Sequence, residues 1–264
     1  MRIIEYNVDK KSIELVGIGD INLGNKNCDK QKTQTVTEYI RTHNCRWIGG
    51  GDYADAITPK DPRFDYRSVD EDYRIPQEQY KQIYEWFYPI RKKCLGLLDG
   101  NHDINHWKRH SHNYVKELAE DLGVPYLTVD AYIRLNFTQF KTNFDIYAHH
   151  GWTGSRTKGG KINRIYDLAG VFPMIDLYIM FHIHDLGLAD EMPNLYVDDN
   201  LEIRDRIARY VFGGSFLKGY VEGNVSYVEE KTYRPSVLGS PVIMIKPKRG
   251  KATTSFDVVI KTVR

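Results

Sequence analysis

The sequence predicts an α/β or closely related mixed fold, and three observations carry that expectation. Short apolar runs alternate with longer segments of helical period, the pattern of strands and helices layered on one another. Several apolar runs end abruptly in a carboxylate, carboxamide or imidazole followed by glycine or turn-like sequence. The second half of the chain is dominated by strand-like runs, with one clear helical segment between them.

Taken in order, IELVGIGD (13–20) reads as a buried strand, and 30–42 as the helix after it, with Val36, Tyr39 and Ile40 on one face. RWIGGGD (46–52) is the next strand. The polar, proline-containing stretch 58–74 reads as a loop, after which Pro76 suits a first helical position. CLGLLDG (94–100) is a strand, and a helix is expected over 105–122, ending where Gly123 can adopt a left-handed cap. AYIRLNF, NFDIYAHH, DLYIMFHIH, RYVFGGS, PVIMIK and SFDVVIK are strand-like, with a helix at 161–171. No repeat, low-complexity tract or linker divides the chain, so one domain over 1–264 is expected.

Composition excludes several classes. With 41% hydrophobic and 27% charged residues the chain can bury a core and is not a disordered polyelectrolyte. Lysine and arginine total 37 against 35 acidic residues, a formal charge of +2, which rules out a dedicated polybasic tail but not a local basic surface. Cys28, Cys45 and Cys94 are odd in number and widely spaced, which indicates neither a disulfide framework nor a thiolate zinc site. The first residues carry no signal-peptide pattern, and no run approaches about 20 apolar residues, so a soluble cytoplasmic protein away from membranes is expected.

The chemistry lies in five strand ends: Asp20-Ile21-Asn22, Gly51-Asp52-Tyr53-Ala54-Asp55, Gly100-Asn101-His102-Asp103, His149-His150-Gly151 and His182-Ile183-His184. Strand ends along one edge of an α/β sheet are where sites are assembled. Oxygen and imidazole donors without thiolates suit manganese, iron or zinc. Each piece alone has a plain structural reading as a turn or a strand end; their order and context together point to a metal site.

In these motifs the chain resembles the calcineurin-like metallophosphoesterases, whose signature runs D-x-H, G-D-x-x-D, G-N-H-D/E, an apolar run ending in H, and G-H-x-H. The match spans roughly 13–185, and the overall flavour is similar to viral or mobile-element members. The resemblance implies a four-layer α/β/β/α sandwich of two mixed β-sheets flanked by helices. It also implies two divalent ions, manganese foremost and iron or zinc next, bridged by a carboxylate and a hydroxide. By motif position Asp52 would bridge the ions, Asp20, Asn22 and His184 would complete one site, and Asn101, His149 and His182 the other. His149 is the expected ligand of the adjacent pair, with His150 touching substrate beside the metals or turned away. His102 would assist the leaving group, Asp103 would hold its imidazole in one tautomer, and Asp55 would brace the loop. The chain departs from the signature at Asn22, where the family has histidine. A carboxamide is the weaker donor.

After the fourth motif, GWTGSRTKGGKINRI (151–165) contains Arg156, Lys158, Lys161 and Arg164 and no acid. This reads as a phosphate clamp formed by Arg156 and Lys158, or as a solvated loop. Trp152 is placed to stack on a base or simply to pack. Lys246 to Lys251 reads as a polar turn between the last strands, and His106, His110 and His112 as surface or supporting residues. The resulting expectation is a metal-dependent phosphoesterase whose partner is a phosphoester substrate, with phosphodiesters of nucleotides or nucleic acid favoured. A catalytically silent binding or scaffold protein is the alternative, and Asn22 is the residue on which the two diverge.

Overall fold

In the computed structural model, which describes residues 1–155, 157–224, 226–249 and 254–264, two six-stranded mixed sheets face each other. The first sheet contains β2 (Ile13–Ile18), β3 (Cys45–Gly49), β4 (Cys94–Leu98) and β5 (Tyr126–Thr128), all parallel. Beside β2 it is extended by the antiparallel pair β11 (Ser240–Arg249) and β12 (Thr254–Val263). The second sheet runs β1 (Arg2–Val8), β6 (Asp130–Phe137), β7 (Thr142–His149), β8 (Leu177–Met180), β10 (Ile203–Gly213) and β9 (Leu186–Val197).

Three apolar layers hold these sheets. Leu15, Ile48 and Leu98 of the first sheet meet Ile133, Phe144, Ile146 and Ile179 of the second, all fully buried. On the outer face of the first sheet lie α1 (Lys30–Thr42), α2 (Pro76–Phe87) and α4 (Tyr114–Leu122), contributing Val36, Ile40, Ile83, Phe87, Val115 and Leu118. On the outer face of the second sheet, Ile165 and Leu168 of α5 (Lys158–Val171) pack on Tyr178 and Tyr210. Helix, sheet, sheet and helix therefore stack as four layers, as the motif resemblance implies.

The expected helix over 105–122 is instead two. α3 (Asn101–His110) stops at Ser111, whose φ is 54°, and Asn113 starts α4 by accepting the Lys116 N–H at 2.9 Å. An asparagine cap is a stronger start signal than the helical period can override. β1, β5 and β9 were not expected. The turn read at Lys246 to Lys251 falls partly on residues 250–253, outside the described residues; Lys246 itself lies in β11. Among the described residues no helix is long and apolar enough to cross a membrane.

Candidate metal centre

The topology brings the five motifs to one place. β2, β3 and β4 are parallel neighbours, so the segments after their C-terminal ends emerge side by side, and β7 and β8 do the same in the facing sheet. Pairing continues beyond the first sheet's strands: the Asp20 N–H donates to Gly51 O (2.9 Å) and the Asn22 N–H to Asp52 O (3.0 Å). Hydrogen bonds between the motifs also join the two sheets here. The His182 N–H donates to Asp20 Oδ2 (2.8 Å), and His150 Nδ1–H donates to Gly50 O (2.7 Å).

Glycine permits the closest approach. A β-carbon on Gly100 would stand 2.0 Å from Asp52 Oδ1, and one on Gly51, with φ +87°, would stand 2.4 Å from the Gly100 nitrogen. The second and third motifs therefore pack backbone against backbone, and the His102 N–H reaches Asp52 Oδ1 at 2.8 Å.

Asp20, Asp52, His150 and His182 each offer a donor atom, and these atoms all lie within 4.8 Å of one another. The first three residues are buried and His182 is half-buried. The Asn101 amide joins them: one of its terminal atoms lies 2.6 Å from His182 Nδ1, 3.1 Å from His150 Nε2 and 3.1 Å from Asp52 Oδ2. With oxygen in that position, lone pairs converge there unless His182 Nδ1 or His150 Nε2 carries a proton. Turning the amide over would supply N–H donors instead. A cation between these groups satisfies the oxygen-in arrangement directly. Asp20 Oδ1, buried and without a hydrogen bond, is a second orphaned donor, 3.3 Å from His184 Nε2. Oxygen and imidazole donors around unsatisfied lone pairs fit a divalent metal ion.

Two site assignments change. His149 is the last residue of β7, and its Nδ1 accepts the Gly151 N–H at 2.6 Å. Its ring lies against Trp152, with centroids 5.2 Å apart, while His150, 3% exposed, enters the donor group in its place. Each of the other donors also stands beyond its strand's last residue, a signal that marks His150 as the member of the pair outside the strand. Asp103 does not touch the His102 ring. Its Oδ2 accepts the N–H groups of Gly100 (2.7 Å) and Asp52 (2.8 Å), and its Oδ1 accepts the Tyr80 hydroxyl. It clamps the two motif loops together, and the tautomer-fixing role falls to Asp55, whose carbonyl accepts His102 Nδ1–H at 2.7 Å.

Asn22 is 2% exposed and its amide nitrogen has no partner, so it is buried in the site's surroundings without being fixed by hydrogen bonds from its side chain. Lys158 is exposed in the first turn of α5, and Arg156 lies outside the described residues.

The electrostatics are dominated by Asp52. Burial pushes its carboxyl up, but His150 and His102 outweigh that and hold it well below the usual range. Burial works against charge on His150, yet Asp52 pushes it up to about 10. Burial likewise opposes charge on His102, and Asp52 and Asp55 raise it. Burial lowers His182, reinforced by His150, and takes His149 down to about 4.

Two features escaped the sequence. Asp20, Asn22, Asp52, His182 and His184 all have left-handed backbones, with φ of 52°, 52°, 51°, 63° and 53°. Such strain concentrates at functional sites. The second is a histidine ladder on α3: His102 Nδ1 meets Asp55 O, His106 Nδ1 meets Ala56 O at 3.2 Å, and His110 Nε2 meets Thr58 Oγ1 at 3.0 Å. The four-residue spacing of these histidines was visible, but their shared partner segment was not.

No protein-family model matches the chain. No curated protein matches it. Among solved structures it is similar to Vacuolar Protein Sorting 29 from Cryptosporidium parvum, with 13% identity, 96% of this chain and 100% of that chain covered, and a TM-score of 0.38. It is also similar to GAP50, described as the anchor in the inner membrane complex of Plasmodium, with 10% identity, 96% of this chain and 84% of that chain covered, and a TM-score of 0.46.

Proposed function

We propose that the chain is a divalent-metal-dependent phosphoesterase acting on phosphodiesters, with those of nucleotides or nucleic acid as its substrate class. The observation that carries this reading is the convergence of the Asn101 amide, His150 Nε2, His182 Nδ1 and Asp52 Oδ2, with Asp20 Oδ1 unsatisfied beside them. Asp20, Asn22, Asp52, Asn101, His150, His182 and His184 would hold two ions, manganese in the first instance, with Asp52 shared. When bound, such ions supply charge neutralisation of phosphate oxygens and a nucleophile at neutral pH.

The chain's own residues do the rest. Gly50 O holds the proton of His150 on Nδ1 and leaves Nε2 as the donor. Asp55 O holds a proton on His102 Nδ1, so the charged ring can give up a proton only from Nε2, which is suited to protonating a leaving-group oxygen. Asp103, buried among N–H and hydroxyl donors, sets the distance between the loops that carry Asp52 and Asn101.

Asn22 favours a second reading, a catalytically weakened family-like binding or scaffold protein, because a buried carboxamide replaces an imidazole donor. Elemental analysis of the purified protein, with manganese-dependent hydrolysis of bis-p-nitrophenyl phosphate, p-nitrophenyl phosphate and single-stranded DNA, separates the two. Activity lost in Asp52→Ala supports the enzyme. No activity in the wild type and none restored in Asn22→His supports the silent protein.

A further inference from the structure

We infer that Trp152 is a stacking platform for an unpaired nucleobase beside the metal centre; the assignment of that base to the substrate rests on the phosphoesterase reading. Gly151, with φ +97°, turns the chain sharply between His150, 3% exposed, and Trp152, 42% exposed. A β-carbon at Gly151 would stand 2.7 Å from Met180 Cε and 2.9 Å from Phe181 O, so this turn is pressed onto the end of β8. The indole therefore stands two residues from a group of the donor cluster, on a backbone that cannot move inward.

Its surroundings are built. The His149 ring meets the indole at an interplanar angle of 65°, and the Gly151 N–H fixes that imidazole through Nδ1. The Arg164 guanidinium lies over the indole, 5.9 Å from its centroid. Arg164 also pairs with Asp167 Oδ2 at 3.0 Å; Lys158 and Lys161 accompany it on α5, with Lys161 Nζ 3.8 Å from Asp185 Oδ2, so the group carries one more cation than it has acids. By contrast Trp47, in the core, is fully buried with its N–H bonded to Ile90 O at 2.9 Å. A large aromatic surface left in water beside cations and a phosphate-compatible centre matches a base attached to a phosphate.

The base can come from a mononucleotide or from a single strand, and binding measurements distinguish them without turnover. Full-length protein is titrated with labelled oligothymidylate, with an abasic oligomer of equal length, and with a fluorescent 3′,5′-cyclic nucleotide. The wild type is expected to prefer the base-bearing strand or the cyclic nucleotide, with Trp152→Ala losing roughly tenfold in that ligand's affinity and Trp152→Phe keeping most of it. Binding of the abasic oligomer should be the same in all three proteins. If Trp152→Ala binds both base-bearing ligands as the wild type does, or if the abasic oligomer binds as tightly as oligothymidylate and the cyclic nucleotide does not bind, the inference is overturned. Hydrolysis of bis-p-nitrophenyl phosphate is followed separately. Its absence with Trp152-dependent binding intact removes the phosphoesterase reading and leaves the base platform.

Discussion

The ring of Phe181 occupies the space that a side chain on Gly50 would need: a β-carbon there would stand 2.2 Å from Phe181 Cδ1. The same ring also crowds Gly19 and Gly213, at 2.9 and 2.1 Å, so one phenylalanine plugs the junction where β2, β3 and β10 end. It immediately precedes His182, and Gly50 carries the carbonyl that orients His150.

Gly50→Ala is therefore expected to disturb two donors at once. Overpacking of a filled interior costs about 1–3 kcal/mol. Urea unfolding should show that loss, and elemental analysis should show reduced metal content. Unchanged stability together with full metal content would mean that the junction tolerates a displaced ring.

The adjacent histidines should behave differently. His150→Ala removes a donor whose proton is fixed by Gly50, and metal retention after dialysis should fall with activity. His149→Ala removes a ring that meets Trp152 and the Gly151 N–H, and metal content should remain at the wild-type level. Equal losses in both variants, measured by elemental analysis, would restore His149 to the site.

Loosening the α3 ladder should act through His102. Losing one hydrogen bond of this kind costs about 0.5–1.5 kcal/mol, so His106→Ala should fold. If the ladder sets the position of Asp55 O, the variant should hydrolyse alkyl esters, whose leaving groups need a proton, disproportionately more slowly than p-nitrophenyl esters. His102→Ala should show the same selectivity more strongly, by about 10²–10⁴-fold. A uniform loss across leaving groups would assign the ladder to stability alone.

Acid sensitivity has a locatable source in Asp61. Hydrogen bonds from Arg63, against a smaller burial effect, hold its carboxyl down at about 2. Arg63 Nε and Nη2 reach it at 3.0 and 2.9 Å, and Arg109 Nε lies at 3.4 Å. A depressed carboxyl contributes stability that is complete above its unfolded value near 4 and disappears as pH falls through about 2. Allowing for the solvated arginines, that contribution is about 1–2 kcal/mol. Circular dichroism of wild type and Asp61→Asn should diverge at neutral pH and converge by about pH 2; parallel curves throughout would contradict this.

Much of the site was legible because its donors sit at strand ends in a fixed order. Asp20, Asp52, Asn101 and His182 could be placed from apolar runs followed by turn residues. The choice between His149 and His150 could not, because it depends on the residue at which β7 stops. Asp103 was misread for a different reason: its partners, Asp52 and Tyr80, are 51 and 23 residues away and become neighbours only when the sheet forms. Two of the three unexpected strands share a cause. β1 is largely solvated, and β9 is an edge strand bearing Pro193, Asp190 and Glu191, so neither shows the apolar signature of a buried strand.

The left-handed backbone at residue 22 sets the terms on which this position can be re-engineered. Asparagine is among the few side-chain-bearing residues that accept such a conformation with little penalty, and histidine accepts it less readily than asparagine or glycine. A variant with imidazole at position 22 would gain a better donor while relinquishing conformational ease, so thermal tolerance and metal capture should move in opposite directions. Glycine at the same position would do the reverse, relaxing the chain and emptying its chemistry. Position 22 is thus a dial between durability and reactivity.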